Sequence, residues 1–232
     1  NNYMATQWIS PTWRMPENSN QSKVDNYSLD ITGSVEQINF ATPINLGVVS
    51  TLSFWVNIDV GTTGAFFGDT SLGYSAYLIW YNGSTLYVKI GSVYQNFPGA
   101  AAAINTGQWQ HLAFVRPSEN EMKCYVNSTL TDTITTWVGT PGSTPIKFDL
   151  IGSRPGGSLP FSGKMGQIAG FESALTDGTG GTEDQIGNLY NSGTPVNPMA
   201  LTPLPTYYYP LGGGSTGDAA DPATTLTVPN ES

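Results

Sequence analysis

Positive charge is scarce in this chain. Eight Lys and Arg stand against 17 Asp and Glu among 232 residues, which gives a formal net charge of −9 at pH 7. Nucleic acids and anionic membranes are bound largely through clusters of Lys and Arg, and so few scattered cations cannot build such a cluster. The composition therefore predicts no nucleic-acid partner and no membrane partner.

Cysteine and histidine are nearly absent as well, with one residue of each, Cys124 and His111. A single cysteine excludes a disulfide within the chain. Cys124 falls on the inward side of a predicted strand, so we interpret it as a small buried apolar residue and not as a nucleophile. A catalytic triad or a histidine metal site would have to use His111. That residue lies in the middle of another predicted strand, where we expect a packed or hydrogen-bonded imidazole.

Long apolar runs are also missing, since no stretch approaches the roughly 20 apolar residues that a membrane-spanning helix needs. The chain has instead 27 Gly, 16 Pro and 12% aromatic residues, with only 11% charged residues. A sequence rich in Thr, Ser, Asn and Gly and poor in Lys and Glu disfavours long helices and favours strands joined by polar turns. We therefore predict an all-β protein with one principal domain.

The strongest strand pattern runs from residue 109 to residue 127, WQHLAFVRPSENEMKCYVN. The first half has apolar side chains on both faces, as expected of a strand inside a sandwich. These are Trp109, Ala113 and Val115 on one face and Leu112 and Phe114 on the other. In the second half, inward residues 122, 124 and 126 alternate with residues 123, 125 and 127, which predicts one buried and one solvated face.

Further elements are predicted on both sides of this hairpin. Asn82-Gly83, between two apolar and aromatic runs, predicts a strand hairpin with a type I′ turn. Residues 100–103 are four alanines, too few to nucleate a helix, and are expected to form a loop. The segment TEDQIGNLY predicts one short helix with Thr182 as N-cap and Gln185 three residues later. The aromatic run 207–209 predicts a last strand.

Three segments resemble one known family of domains. The strand WQHLAFVR with the following YVN is similar to the W-x-H pattern of laminin-G-like, concanavalin-A-like jelly-roll domains. The segments LSFWVNI (52–58) and FSGKMGQIAGFESALT (161–176) are similar to an early strand and to the closing strand of the same family. The resemblance implies an all-β fold, a two-sheet antiparallel jelly-roll sandwich with one short helix near the C-terminal side.

We accordingly expect three parts along the chain. They are an N-terminal arm at 1–23, a laminin-G-like β-sandwich domain at 24–211 and a flexible acidic C-terminal tail at 212–232. The arm contains two tryptophans but shows neither strand nor helix periodicity. Two interpretations of it stay open, an arm that docks on a neighbouring subunit and an arm that folds over its own domain.

No catalytic group, metal or cofactor is predicted. Polysaccharide hydrolases that resemble this fold carry E-x-D-x-x-E along one strand, and no glutamate here is followed by an aspartate two residues later. Laminin-G domains often bind calcium through an aspartate that precedes a Y-L strand, but Ala76 occupies that position. Asp69 and Asp149 remain as substitute ligands, although a role in turns explains both more simply.

Aromatic residues are the candidates for binding a glycan. Trp80, Tyr81 and Tyr94 could form a stacking platform for a sugar ring, with Asn82 in the adjoining turn. Aromatic residues of a β-sandwich usually belong to the core or to cross-strand pairs, and that interpretation stays open beside the first.

The segments 13–30 and 207–218 resemble the flanks of laminin-G-like domains in structural proteins of tailed bacteriophages. This resemblance implies a non-enzymatic virion structural protein on the particle surface, such as a capsid decoration, head fibre or tail adhesin. Its partners would be other virion proteins or further copies of itself in a homo-oligomer, and a glycan. The alternatives are a secreted or surface carbohydrate-binding, lectin-like module and a degenerate polysaccharide hydrolase.

Overall fold

Two antiparallel sheets lie face to face, as the strand patterns predict. The structure, a computed structural model, describes residues 28–32, 37–72, 77–211, 216–217 and 226–227. The predicted arm, most of the predicted tail and Ala76 lie outside the described residues. The described strands are β1 (Leu29–Thr32), β2 (Ile38–Asn45), β3 (Ser50–Ile58), β4 (Gly64–Gly68), β5 (Tyr77–Tyr81), β6 (Leu86–Ile90), β7 (Val93–Asn96), β8 (Trp109–Arg116), β9 (Met122–Val126), β10 (Thr129–Ile134), β11 (Lys147–Ile151), β12 (Ser162–Phe171), β13 (Tyr207–Tyr209), β14 (Thr216–Gly217) and β15 (Leu226–Thr227). The described α-helices are α1 (Pro98–Ala103) and α2 (Gln185–Tyr190).

The first sheet has seven strands, in the order β1-β12-β3-β8-β9-β10 with β13 also paired to β12. The second has six strands, in the order β2-β11-β4-β5-β6-β7. Neighbouring strands are antiparallel in both sheets. β14 and β15 pair with each other in a separate two-stranded sheet. The predicted fold class, an all-β antiparallel two-sheet sandwich, is confirmed.

The inner faces of the two sheets enclose a large apolar core. Its centre is a group of phenylalanine rings contributed by both sheets. The ring of Phe54 on β3 lies 5.0 Å from that of Phe67 on β4 and 6.3 Å from that of Phe114 on β8. All three are at most 1% exposed. Because burying one such side chain stabilises the fold by about 1.5–3 kcal/mol, this core holds the two sheets together.

Strands β8 and β9 confirm the predicted central hairpin. Leu112 and Phe114 point into the main core, whereas Ala113 and Val115 point to the other face, as expected. Two details differ from the prediction. Trp109 is 42% exposed, since it is the first residue of β8. The face of β9 that was predicted to be solvated carries a tyrosine that is only 1% exposed, because later parts of the chain cover it.

That cover comes from the chain that follows β12. Ile186 and Leu189 of α2 pack with residues of β8, β9 and β12 in a second buried cluster. The predicted helix is therefore confirmed, but its predicted N-cap is wrong. Asp184 caps the helix by accepting a hydrogen bond from the Gly187 N–H at 2.7 Å, while the Thr182 hydroxyl donates to a carbonyl in the preceding turn. We call the outer face of the seven-stranded sheet under this segment the covered face.

The hairpin predicted at Asn82-Gly83 is confirmed, but its turn type is wrong. Tyr81 pairs with Leu86, so the loop has the four residues 82–85. Only Gly83 among them has a positive φ, 88°. The Asn82 side-chain oxygen accepts hydrogen bonds from the backbone N–H groups of Ser84, at 3.1 Å, and Thr85, at 2.7 Å. This side-chain bonding stabilises a wider loop than a type I′ turn.

The prediction of a loop at residues 100–103 is wrong, because this segment forms part of α1. The carboxylate of Asp132 on β10 accepts hydrogen bonds from the N–H groups of Gly99 at 3.0 Å and Ala100 at 2.6 Å. A distant strand thereby caps a helix that is too short to form alone. Neither α1 nor any other helix in the described part of the chain is long and apolar enough to cross a membrane.

Candidate functional site

The outer face of the six-stranded sheet carries the candidate site. On β6, residues 86, 88 and 90 point into the core, and Tyr87 and Lys89 therefore point outward. The strand register places Trp80 of β5 opposite Tyr87 and places Tyr94 of β7 opposite Lys89. Because directly opposed residues of neighbouring strands share a face, Trp80, Tyr87 and Tyr94 lie on one surface. We call these three residues the aromatic stripe.

The rings of the aromatic stripe contact one another. Those of Trp80 and Tyr87 are stacked, with centroids 4.9 Å apart and planes inclined by 15°. The ring of Tyr94 meets that of Tyr87 edge to face, with centroids 6.4 Å apart. Trp80 and Tyr87 are half-buried, and Tyr94 is 44% exposed. The stripe is therefore an ordered row of aromatic surface that solvent reaches.

Two of the predicted glycan-binding residues lie outside this row. Tyr81 belongs to the core, with 3% of its surface exposed, and its hydroxyl donates to the Gly83 carbonyl at 2.9 Å. Burial raises the pKa of Tyr81 above its usual value. Asn82 uses its side-chain oxygen to hold the loop between β5 and β6. Tyr81 follows Trp80 directly, so the alternation of a strand sends the two rings to opposite faces.

Tyr87 was not among the residues predicted from the sequence to bind a glycan, although it lies at the centre of the aromatic stripe. Its outward direction could have been read from β6, where it alternates with Leu86 and Val88. Its pairing with Trp80 could not, because the four-residue loop between the strands sets the register. The register is what brings the two rings into contact.

His111, by contrast, is buried in the covered face, with 1% of its surface exposed. Its Nε2 lies 2.7 Å from the Ser53 hydroxyl oxygen, and the rings of Trp55 and Tyr190 pack against it at 5.4 and 6.2 Å. Its Nδ1 is buried, and no described residue forms a hydrogen bond with it. The pair of Ser53 and His111 therefore lacks the third group that orients the base in a catalytic triad. Burial lowers the pKa of His111 to about 3, so the imidazole is neutral at pH 7.

Cys124 lies in the main core and is fully buried, as predicted. Burial raises the pKa of its thiol far above the usual range, and the nearby carboxylate of Asp132 adds to this effect. A thiol that stays protonated at neutral pH is a poor nucleophile and a poor metal ligand.

The two aspartates considered as calcium ligands both hold the turn after β4. Asp149 accepts hydrogen bonds from the backbone N–H of Thr70, at 2.8 Å, and from its hydroxyl. Asp69 accepts from the N–H of Ser71 at 2.9 Å and from its hydroxyl at 2.6 Å. Both carboxylates thus stabilise the turn, Asp149 through both oxygens and Asp69 through Oδ1, as a role in turns predicts. No group of three His, Cys, Asp or Glu that could hold a metal ion occurs within the described ranges.

Comparison with known proteins places this fold. The sequence model of the concanavalin A-like lectin/glucanases superfamily matches residues 32–179, more than half of the chain. No protein of curated function matches.

Among solved structures, a heptameric SAP-like pentraxin from Limulus polyphemus is similar with a TM-score of 0.54 and 17% identity, over 72% of this chain and 83% of that one. The receptor-binding domain of botulinum neurotoxin mosaic serotype C/D is similar with a TM-score of 0.50 and 13% identity, over 74% of this chain and 44% of that one. This chain belongs to the concanavalin A-like lectin/glucanases superfamily.

Proposed function

We propose that this domain is a non-enzymatic carbohydrate-binding module whose binding surface is the aromatic stripe. The observation that carries the proposal is the stacked pair of Trp80 and Tyr87, with Tyr94 beside it, on a sheet face where solvent reaches the rings. Membership of a superfamily that includes lectins supports it.

The chemistry of the stripe suits a sugar. A pyranose ring has apolar C–H faces and a polar rim, so it can lie on an aromatic ring while its hydroxyls stay hydrated. The contacts within the stripe limit ring motion before any ligand arrives, which reduces the ordering cost of binding. Tyrosine hydroxyls at the ring edges can also form hydrogen bonds.

The test begins with a glycan array of the purified protein, once with calcium and once with a chelator. For a sugar that binds, we expect Trp80→Ala and Tyr87→Ala each to weaken the affinity about tenfold, as the loss of one stacking contact predicts. The matched control is Trp109→Ala, because Trp109 is an exposed tryptophan on the other sheet. Calorimetric titration gives the affinities, and thermal melting checks that each variant is folded.

Absence of binding to any glycan would contradict the proposal. So would a Trp109 variant that loses binding while the stripe variants keep it. Hydrolysis of a bound polysaccharide by the pure protein would contradict the non-enzymatic part. Loss of binding in the chelator alone would show that a metal takes part.

A place on the surface of a phage particle, and assembly with virion proteins or as a homo-oligomer, remain predictions from the sequence resemblance. Mass spectrometry of purified particles tests the location: the polypeptide should be present, and its absence would contradict the virion role. The proposed carbohydrate binding does not depend on that outcome.

A further inference from the structure

A cavity of about 190 Å³ opens at one end of the six-stranded sheet. Its walls come from the turn after β4, the last residues of β6 and the chain leading into β11. With liquid water occupying about 30 Å³ per molecule, the cavity has room for one charged substituent of a sugar ring.

The cavity adjoins the aromatic stripe. Lys89 is one of its lining residues, and the same lysine is paired across the strands with Tyr94. Side chains in such a pair have Cβ atoms about 4.5–5.5 Å apart. Tyr87 lies two residues before Lys89 on the same face of β6. A ligand that stacks on the stripe can therefore reach the cavity.

Two of the few lysines of this chain line the cavity, Lys89 and Lys147, together with one carboxylate, that of Asp69. The Lys147 Nζ lies 3.8 Å from Asp69 Oδ1 and donates to the Ser71 hydroxyl at 2.9 Å. The Lys147 side chain is 29% exposed, but that of Asp69 is only 6% exposed. The carboxylate is thus enclosed within the turn, and the Lys147 ammonium is the more exposed partner of this ion pair.

Another part of the cavity wall is held by hydrogen bonds from inside the protein. Arg116 of β8 is fully buried, and its guanidinium donates to the carbonyls of Thr144 and Gly142, the latter at 2.6 Å. It also donates to the Glu119 carbonyl at 2.7 Å. Thr144 is one of the lining residues. A wall held by hydrogen bonds from a buried charged group keeps the cavity open for a ligand.

We propose that this cavity binds the carboxylate or sulfate group of an anionic glycan whose neighbouring ring stacks on the aromatic stripe. This inference rests on the carbohydrate binding proposed above and names the ligand class. Paired lysines suit a carboxylate or a sulfate, since each ammonium offers three donors and a full charge. In a protein of net charge −9, two lysines against one aspartate give the cavity a local excess of positive charge, which offsets the general repulsion of an anion.

The experiment compares ligands that differ only in charge. Trigalacturonate is titrated beside its methyl ester, and a sulfated dextran oligomer beside the unsulfated one, at physiological ionic strength. We expect the protein to bind the charged member of at least one pair about tenfold more tightly, a difference of about 1.4 kcal/mol. The pair with the larger ratio identifies the carboxylate or the sulfate as the preferred group.

Variants assign the preference to the cavity. Lys89→Gln and Lys147→Gln should each remove most of the preference for the charged ligand and leave the affinity for the neutral ligand unchanged. Lys147→Arg, which keeps the positive charge, should retain the preference for the charged ligand. The matched control is Lys164→Gln, which removes one positive charge from the seven-stranded sheet, where Lys164 forms an exposed ion pair with Asp30. Thermal melting verifies that all variants are folded.

The outcomes separate the two proposals. Equal affinity for charged and neutral ligands, with loss of binding in the Trp80 variant, would overturn the inference and leave the proposed function intact. The inference would also fall if Lys164→Gln reduced the charge preference as much as the cavity variants do. No binding of any of the four ligands or of any array glycan would overturn both proposals.

Discussion

The outer faces of the two sheets carry similar residues in different surroundings. On the covered face, Trp55 and Tyr125 are 6% and 1% exposed, because α2 and the chain around it lie over them. On the six-stranded sheet, Trp80 and Tyr87 also point outward, yet both remain half-buried and within reach of solvent. The same residue types are therefore buried on one face and form a solvent-accessible surface on the other.

The contacts of the two faces differ accordingly. On the covered face, the ring of Trp55 stacks on that of Tyr190 at 5.9 Å, and the Tyr125 hydroxyl donates to the Asp177 carboxylate at 2.8 Å. These contacts join the sheet to the chain that covers it. In the aromatic stripe, the ring contacts between Trp80, Tyr87 and Tyr94 stay within the sheet. We expect mutations to reduce stability on the first face and ligand affinity on the second.

The largest effect should come from a matched pair of tryptophan substitutions. Trp55→Ala should reduce the free energy of unfolding by about 3–5 kcal/mol, as the loss of a buried large ring predicts. Trp80→Ala should reduce it by about 1 kcal/mol, since its ring is partly solvated already. Urea unfolding measures both. Equal losses would show that the two faces do not differ in their contribution to stability.

The second effect is a loss of stability at acidic pH, caused by His111 in the covered face. The pKa of His111 is about 3 in the folded protein and about 6.5 in an unfolded chain. Between these values the unfolded state binds a proton that the folded state does not, so stability falls as the pH is lowered. The stabilising contribution of the neutral His111 side chain is complete above about pH 6.5. Below that pH, it declines by up to about 1.4 kcal/mol for each pH unit.

His111→Gln should remove this contribution. As the chain has one histidine, the difference between wild type and variant isolates it. Unfolding curves recorded between pH 6.5 and pH 5 give the measurement, because most carboxylates stay ionised there. Parallel dependences of stability on pH in the two proteins would contradict a buried neutral imidazole.

The smallest effect should come from removing single hydroxyl groups. Tyr125→Phe deletes the hydrogen bond to Asp177 and should cost about 1 kcal/mol. Tyr87→Phe on the aromatic stripe keeps the ring and should change stability by less than about 0.5 kcal/mol. Chemical unfolding of both variants provides the comparison. A larger loss for the Tyr87 variant would mean that the stripe has a structural role.

Prediction from the sequence succeeded where the pattern is local. A strand with apolar residues on both faces identified β8, alternating apolar residues identified β9, and the aromatic run at 207–209 identified β13, because such patterns are visible in a few residues. Prediction failed where an element depends on a contact with a residue far away in the sequence. Helix α1 depends on Asp132 of β10 for its cap, and no residue within α1 reveals that contact.

The candidate site shows the same division. The aromatic residues of β5 and β7 were found from their type, and Trp80 and Tyr94 indeed lie on one face. Tyr81 was included and Tyr87 was omitted, because neighbours along the chain were taken together although neighbours across the strands share the surface.

The sequence by itself determined the all-β class, the central hairpin and the buried place of Cys124, since periodicity and composition carry that information, and its resemblance to a known family implied the two-sheet sandwich. Only the tertiary structure decided which aromatic residues are covered and which stay open, and which lysines meet at the cavity beside the aromatic stripe. These depend on strand register and on where α2 lies, and both arise from contacts between residues far apart in the chain.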